Sequence, residues 1–170
     1  MEKIIILAGP GGAGKTTIAE LLEEQFGYVL IDGDNEDTEF FPNGGQWFPE
    51  NNDKLRKAHS KILNKAKELV ESGKKVVVDY IIFDNYLEFF NKFREEFSNN
   101  LRIAVLFPDQ SEIIIRDKER ECWTTGANRI KAVYSELEKI RDEIGEDNYI
   151  NTLGETAEET FKNHFEGCKN

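Results

Sequence analysis

Cysteine is almost absent from this 170-residue chain, which carries only Cys122 and Cys168, far apart in sequence. Two distant thiols cannot form a disulfide framework, and such usage belongs to a reduced compartment, so a cytoplasmic setting is expected. Histidine is as scarce. His59 and His164 lack the set of further Cys and His partners that a zinc site requires, which leaves such a site without support. Long apolar runs are missing too. The run Ile4 to Ala8 falls well short of the roughly 18 residues a membrane span requires. It leads straight into Gly9-Pro10-Gly11-Gly12, without the cleavage signature of a secretory leader. Positive charge is in deficit: 22 Lys and Arg face 33 Asp and Glu, a net charge of −11. That field repels polyanions and disfavours nucleic acid and anionic membrane as partners. A few well-placed groups can still override it at contact range, so a pocket for a small phosphate compound is compatible with it.

What is present suits a folded chain. Hydrophobic residues make up 39% and charged residues 32%, a balance that excludes disorder and low complexity. At roughly 150 residues per domain, residues 1–170 are expected to form one domain. Lys3 to Ala8 reads as a buried strand. Apolar positions at helical spacing follow from Lys15 to Phe26 and stop at Gly27. Tyr28 to Ile31 reads as a second strand, and Asp32 to Glu50 as an irregular, functional loop. Beyond it the pattern predicts a helix over Asp53 to Ser72, a strand over Lys74 to Tyr80 and a helix over Asn85 to Phe97. A strand over Leu101 to Phe107 comes next, then helices over about Ser111 to Glu121 and Asn128 to Ile144. A short strand at Asn148 to Ile150 and a helix over about Thr156 to Phe165 complete the chain. Strands alternating with helices in this rhythm mean βαβ units, a parallel sheet and a three-layer α/β fold.

Gly9 to Thr16 spells Gly-Pro-Gly-Gly-Ala-Gly-Lys-Thr and satisfies GxxxxGK[ST] at every fixed position, between a strand and a helix. In a P-loop the backbone N–H groups of such a turn surround phosphates, the lysine reaches the β- and γ-phosphates, and the Thr hydroxyl holds Mg²⁺. The nucleotide-binding set is therefore Gly9, Gly11, Gly12, Ala13, Gly14, Lys15, Thr16 and Thr17, with ATP and Mg²⁺ as the expected ligands. Asp79 ends the apolar strand Val76-Val77-Val78, where a carboxylate can reach the metal or simply cap a turn. Asp32-Gly33-Asp34 ends the second strand, where open α/β sheets bind ligands. Two residues apart in extended chain, both carboxylates face one way. Asp32 is the expected base for an attacking hydroxyl and a third metal contact beside Thr16 and Asp79. Asp34 is expected to bind the acceptor; a local Asx turn is the alternative for either.

The P-loop, the Asp-Gly-Asp and the length together resemble the small-molecule kinase branch of P-loop proteins, such as shikimate kinase, gluconate kinase, adenylylsulfate kinase and chloramphenicol phosphotransferase. That resemblance implies a P-loop NTPase fold with a five-stranded parallel sheet in the order 2-3-1-4-5 and helices on both faces. It also implies a substrate-binding region at about 33–72 and a helical lid at about 109–129. Arg116 and Arg120 share a helix face. By resemblance Arg116 packs on adenine and Arg120, as a catalytic residue beside Asp32 and Lys15, contacts phosphate, with Arg129 in reserve; a solvated helix face is the alternative. Asn151 and Thr152 follow the last strand, where relatives contact adenine.

The chain departs from those families where the substrate is chosen. Phe40, Phe41, Trp47 and Phe48 occupy the substrate region, and Arg56 is the cation that follows shortly after. Carboxylates and sulfates call for arginine clamps, so an uncharged, partly aromatic substrate is expected at Asp34, Phe41, Trp47, Arg56 and Asp79, unless the aromatics merely pack the loop. The expected activity is transfer of the ATP γ-phosphoryl group to a small-molecule hydroxyl. A nucleoside, nucleotide or polynucleotide kinase and a regulatory ATPase acting on a protein partner remain as alternatives.

Overall fold

A computed structural model describes residues 2–82, 85–119 and 124–169. Its centre is one parallel sheet of β1 (Ile4–Ala8), β2 (Tyr28–Asp32), β3 (Lys75–Asp79), β4 (Leu101–Leu106) and β5 (Tyr149–Ile150). The strand order is β2-β3-β1-β4-β5, the order the resemblance implied. Period-two geometry sends Ile4, Ile6 and Ala8 of β1 to one face and Ile5 and Leu7 to the other. Both sets are buried, so β1 needs apolar residues at every position.

Helix α1 (Lys15–Phe26) and helix α8 (Ala157–Phe165) cover one face through Ile18, Leu22, Phe161 and Phe165. On the other face lie α3 (Asn52–Glu71), α4 (Tyr86–Phe97), α6 (Ala127–Lys139) and the short α7 (Arg141–Ile144). Phe89, Phe90, Phe93 and Phe97 of α4 line up at helical spacing and supply most of that layer's aromatic bulk. Two expectations need correction. The segment after β2 is not wholly irregular, because α2 (Gly33–Glu36) starts at once, with the Asp32 carboxylate capping it. The helix expected over Asn128 to Ile144 breaks at Ile140 into α6 and α7.

Helix α5 (Gln110–Lys118) opens the expected lid. Arg120, Cys122 and Trp123 lie outside the described residues. No helix among the described residues is long and apolar enough to cross a membrane.

Candidate active site

Parallel pairing sets Asp32 beside Asp79 at the carboxyl ends of β2 and β3, and Leu7 of β1 beside Asp79 on the other side. The loop leaving β1 thus arrives where two carboxylates already stand, the crevice in which open α/β sheets take ligands. A cavity of about 480 Å³ fills that crevice, lined by Gly11, Gly12, Gly14, Lys15, Thr16, Thr17, Leu30, Asp32, Asp34, Asp79, Ile81 and Arg116. Residues expected from two separate motifs therefore meet in one space. Gly9 and the buried Ala13 complete the turn around it.

Lys15 is buried and donates to the carbonyls of Gly9 and Pro10, both at 3.0 Å, so its ammonium is held across the mouth of the P-loop. Thr16 Oγ1 donates to Asp79 Oδ2 at 2.7 Å. That contact joins the hydroxyl and the carboxylate expected to share Mg²⁺. Hard oxygen donors of this kind, few in number, suit Mg²⁺, which keeps several waters and relies on substrate phosphates for the rest of its shell. Among the described residues no group of three His, Cys, Asp or Glu side chains could hold a metal by itself.

The two acidic residues of Asp-Gly-Asp play different parts. Asp32 is exposed, and its Oδ1 accepts the backbone N–H of Asn35 at 3.0 Å. Helix α2 begins there, so the extended geometry expected for Asp32 and Asp34 does not occur, although both line the cavity. Asp34 is half-buried. Burial pushes its pKa up to about 7; Lys15 pulls it down, while Asp79, Asp37 and Asp32 add to the rise.

Gly33 is required by a close approach. A Cβ there would run into the ring of Tyr80, the residue after β3. Tyr80 in turn donates its hydroxyl to Asp37 Oδ2 at 3.0 Å, and Gln46 Nε2 approaches both Asp37 oxygens at 3.3 and 3.4 Å. Asp37 is fully buried, and burial raises its pKa against those hydrogen bonds. Sequence reasoning missed Asp37, Tyr80, Leu30 and Ile81. Nothing in its spacing sets Asp37 apart from Asp34 or Glu36.

The segment expected as a lid meets the P-loop at Gly11, where a Cβ would strike the Thr125 hydroxyl. Asp117, buried at the end of α5, accepts the backbone N–H groups of Thr125 and Gly126 at 2.9 and 3.0 Å. Arg116 lines the cavity and donates to the Thr152 carbonyl at 3.2 Å. Its Nε also pairs with Glu112 at 2.9 Å, an i,i+4 contact on the helix face. Thr152 is buried, whereas Asn151 is exposed and accepts the Leu153 N–H at 3.0 Å.

Three expected substrate residues are not brought to this cavity. Arg56 is held by Glu88 at 3.1 Å and by Asp53 at 3.6 Å, on the outer face of α3. Nearby Lys61 and Lys65 are matched to Glu36. Phe41 packs into a small core with Leu55 and Ala58, because an aromatic ring in a loop lowers its free energy by burial as readily as by binding. Trp47 instead lines a second cavity with Ile82, Tyr86 and Arg129, and the guanidinium of Arg129 lies 3.5 Å from its ring centroid. His59 is buried against Tyr80 and Phe89, and burial pushes its pKa down to about 4, so it is neutral at pH 7.

Comparison with known proteins bears on the family and the fold. The sequence profile of the family described as an AAA domain matches residues 4–145. The chain belongs to the AAA domain family. Among curated proteins, deoxyguanosine kinase from Bacillus subtilis (strain 168) is 31% identical over 88 residues, 49% of this chain and 42% of that protein. The chain thus matches less than half the length of that relative. Among solved structures, shikimate kinase from Acinetobacter baumannii in complex with shikimate superposes with a TM-score of 0.66 at 20% identity, covering 96% of this chain and 90% of that one. A gluconokinase from Sinorhizobium meliloti 1021 gives 0.61 at 22% identity, covering 93% and 86%. Deoxyadenosine kinase from M. mycoides with bound dATP gives 0.63 at 15% identity, covering 98% and 100%. At these identities the likeness is one of fold, that of P-loop small-molecule kinases.

Proposed function

We propose that this AAA domain protein is a phosphotransferase that moves the γ-phosphoryl group of ATP to a hydroxyl of a small molecule. The observation that carries the reading is the placement of Asp34, a half-buried carboxylate in the same cavity as Lys15, Thr16 and Asp79, its pKa raised by burial to about 7. A base with a pKa near the working pH both exists in its charged form and accepts a proton effectively. In the reaction the acceptor oxygen forms a bond to the γ-phosphorus as the bond to the β,γ-bridging oxygen breaks. The hydroxyl proton passes to Asp34, and ADP leaves. The sequence alone favoured Asp32 as the base. Its exposure and its role in capping α2 support a different part, positioning Mg²⁺ with Thr16 and Asp79. When bound, Mg²⁺ neutralises charge on the phosphate oxygens. Lys15 supplies positive charge to the transferring group once nucleotide draws it from the Gly9 and Pro10 carbonyls. Arg116, anchored on Thr152, faces the nucleoside end of ATP, and Arg120 contributes charge at the phosphates by family resemblance.

A nucleoside acceptor is the second reading, favoured by the match to deoxyguanosine kinase. A regulatory ATPase would require no acceptor base. Release of ADP from Mg-ATP, measured against a panel of hydroxyl compounds with Asp34→Asn and Asp32→Asn alongside, tests the proposal. Acceptor-dependent release lost in Asp34→Asn is expected. Steady release indifferent to every acceptor and to both substitutions would overturn it in favour of the ATPase.

A further inference from the structure

Helix α2, which carries Asp34, runs only from Gly33 to Glu36, with Asp37 closing it. Gly33 and Asp37 are one i,i+4 step apart, so they share a face and stand ~6 Å apart along the axis. That distance is about what a tyrosine side chain spans from Cβ to hydroxyl, and Tyr80 uses all of it. Its Cβ, Cγ and Cδ2 lie against Gly33, where a Cβ would strike them, and its hydroxyl donates to Asp37 Oδ2 at 3.0 Å. The Asp37 N–H donates to the Gly33 carbonyl at 3.0 Å, which closes the turn over the ring. Tyr80 is itself fixed. It is fully buried, with its ring 5.7 Å from that of His59 and 5.8 Å from that of Phe89, centroid to centroid.

A single helical turn does not hold its own shape, because one closed hydrogen bond does not repay the ordering of the residues inside it. A carboxylate on such a turn keeps a constant aim only where the turn is held from outside. Tyr80 holds it from the end of β3, one residue beyond the Asp79 that accepts the Thr16 hydroxyl at 2.7 Å. Gln46 Nε2, at 3.3 and 3.4 Å from the two Asp37 oxygens, supports the same carboxylate from the following loop. Resting on the phosphotransferase reading above, we propose that Tyr80 is a positioning residue: lying along α2 from Gly33 to Asp37, it fixes the aim of the Asp34 carboxylate relative to Thr16 and Asp79. Tyr80 acts through those two ends of the helix, from the core. One peptide bond, Asp79 to Tyr80, thereby sets the base against the oxygens expected to position Mg²⁺.

Tyr80→Phe keeps the ring against Gly33 and removes only the hydroxyl, so it reads the grip on Asp37. ADP release from Mg-ATP is measured on the full chain at a temperature where every variant is folded, with deoxyguanosine, shikimate and gluconate as acceptors and with water alone. Tyr80→Phe should lower kcat about tenfold, the scale of a slightly misaimed group. Calorimetric affinity for β,γ-imido-ATP with Mg²⁺ should stay within about twofold, because the P-loop is untouched. In Asp34→Asn the same substitution should change the residual rate by less than about twofold, since a base already removed cannot be misaimed. A merely structural role would lower both rates alike. Gly33→Ala presses on the other end of the same ring and should show the same fall and the same silence in Asp34→Asn. Hydrogen exchange of the Asp37 amide should quicken about tenfold in Tyr80→Phe, as the turn loosens. Loss of transfer in Asp34→Asn with kcat intact in Tyr80→Phe would overturn the inference and leave the kinase reading standing. Equal falls with and without Asp34, or unchanged exchange at Asp37, would do the same. Transfer indifferent to Asp34→Asn, or none from wild type to any acceptor or to water, would overturn the reading of Asp34 as the base and this inference with it.

Discussion

Burial and carboxylate neighbours lift Asp34 to about 7, against a pull from Lys15, and two consequences of opposite character follow. The reaction requires the deprotonated form, so kcat/KM should rise with pH through about 7, and Asp34→Asn should remove that limb while lowering kcat by roughly 10²- to 10⁴-fold. Stability should run the other way. Between the ordinary carboxylate value of 3.8 and about 7 the folded state holds a proton that the unfolded state has lost, so stability falls as pH rises across that window. Asp34→Asn should therefore raise the melting temperature at pH 8 and gain little at pH 4. His59 contributes in the opposite direction. Its folded pKa of about 4 lies below the ordinary 6.5, so the stability it supplies as a neutral ring is lost as pH falls from 6.5 towards 4. Thermal melts of His59→Phe from pH 7 to 4.5 should show a shallower decline than those of wild type.

Where strand β3 ends, Asp79, Tyr80, Ile81 and Ile82 face four different tasks: Thr16, Asp37, the catalytic cavity and the second cavity. Removing one of these contacts should be felt locally. Tyr80→Phe deletes the hydrogen bond to a fully buried carboxylate and should cost about 1–3 kcal/mol in denaturant unfolding at pH 7. Gly33→Ala forces a methyl against the same ring and should lower stability and activity together, whereas Phe93→Ala on α4 should cost about 3–5 kcal/mol with the active site unperturbed. The strands were legible in the sequence as short continuous apolar runs, and the long helices because their apolar period is 3.6 and their ends carry glycines such as Gly27 and Gly73. The P-loop was legible because its fixed spacing encodes a backbone shape. Helix α2 was not, since four residues show no period, and it alone determines that Asp34 turns inward while Asp32 stays at the surface. Phe41 and Arg56 share the composition of substrate residues; only tertiary packing and the Glu88 carboxylate distinguish them.

At the scale of the whole molecule, a net charge of −11 surrounds a site that must admit a polyanionic nucleotide. Short-range donors at the P-loop overcome that field for one nucleotide, but an oligonucleotide would add phosphates that meet only repulsion. An oligonucleotide bearing a 5′-hydroxyl should therefore be neither bound near 0.15 M salt nor phosphorylated, as fluorescence anisotropy and radiolabel transfer would report. The backbone between Ile81 and Ile82 has a longer-term consequence. Ile81 lines the cavity expected to take the nucleotide and Ile82 lines the second one, so substitutions at Trp47, Ala132 or Val133, which line the second cavity alone, leave the first cavity's lining unchanged. Such a partition lets a lineage reshape the second cavity in single steps while the lining of the first stays intact.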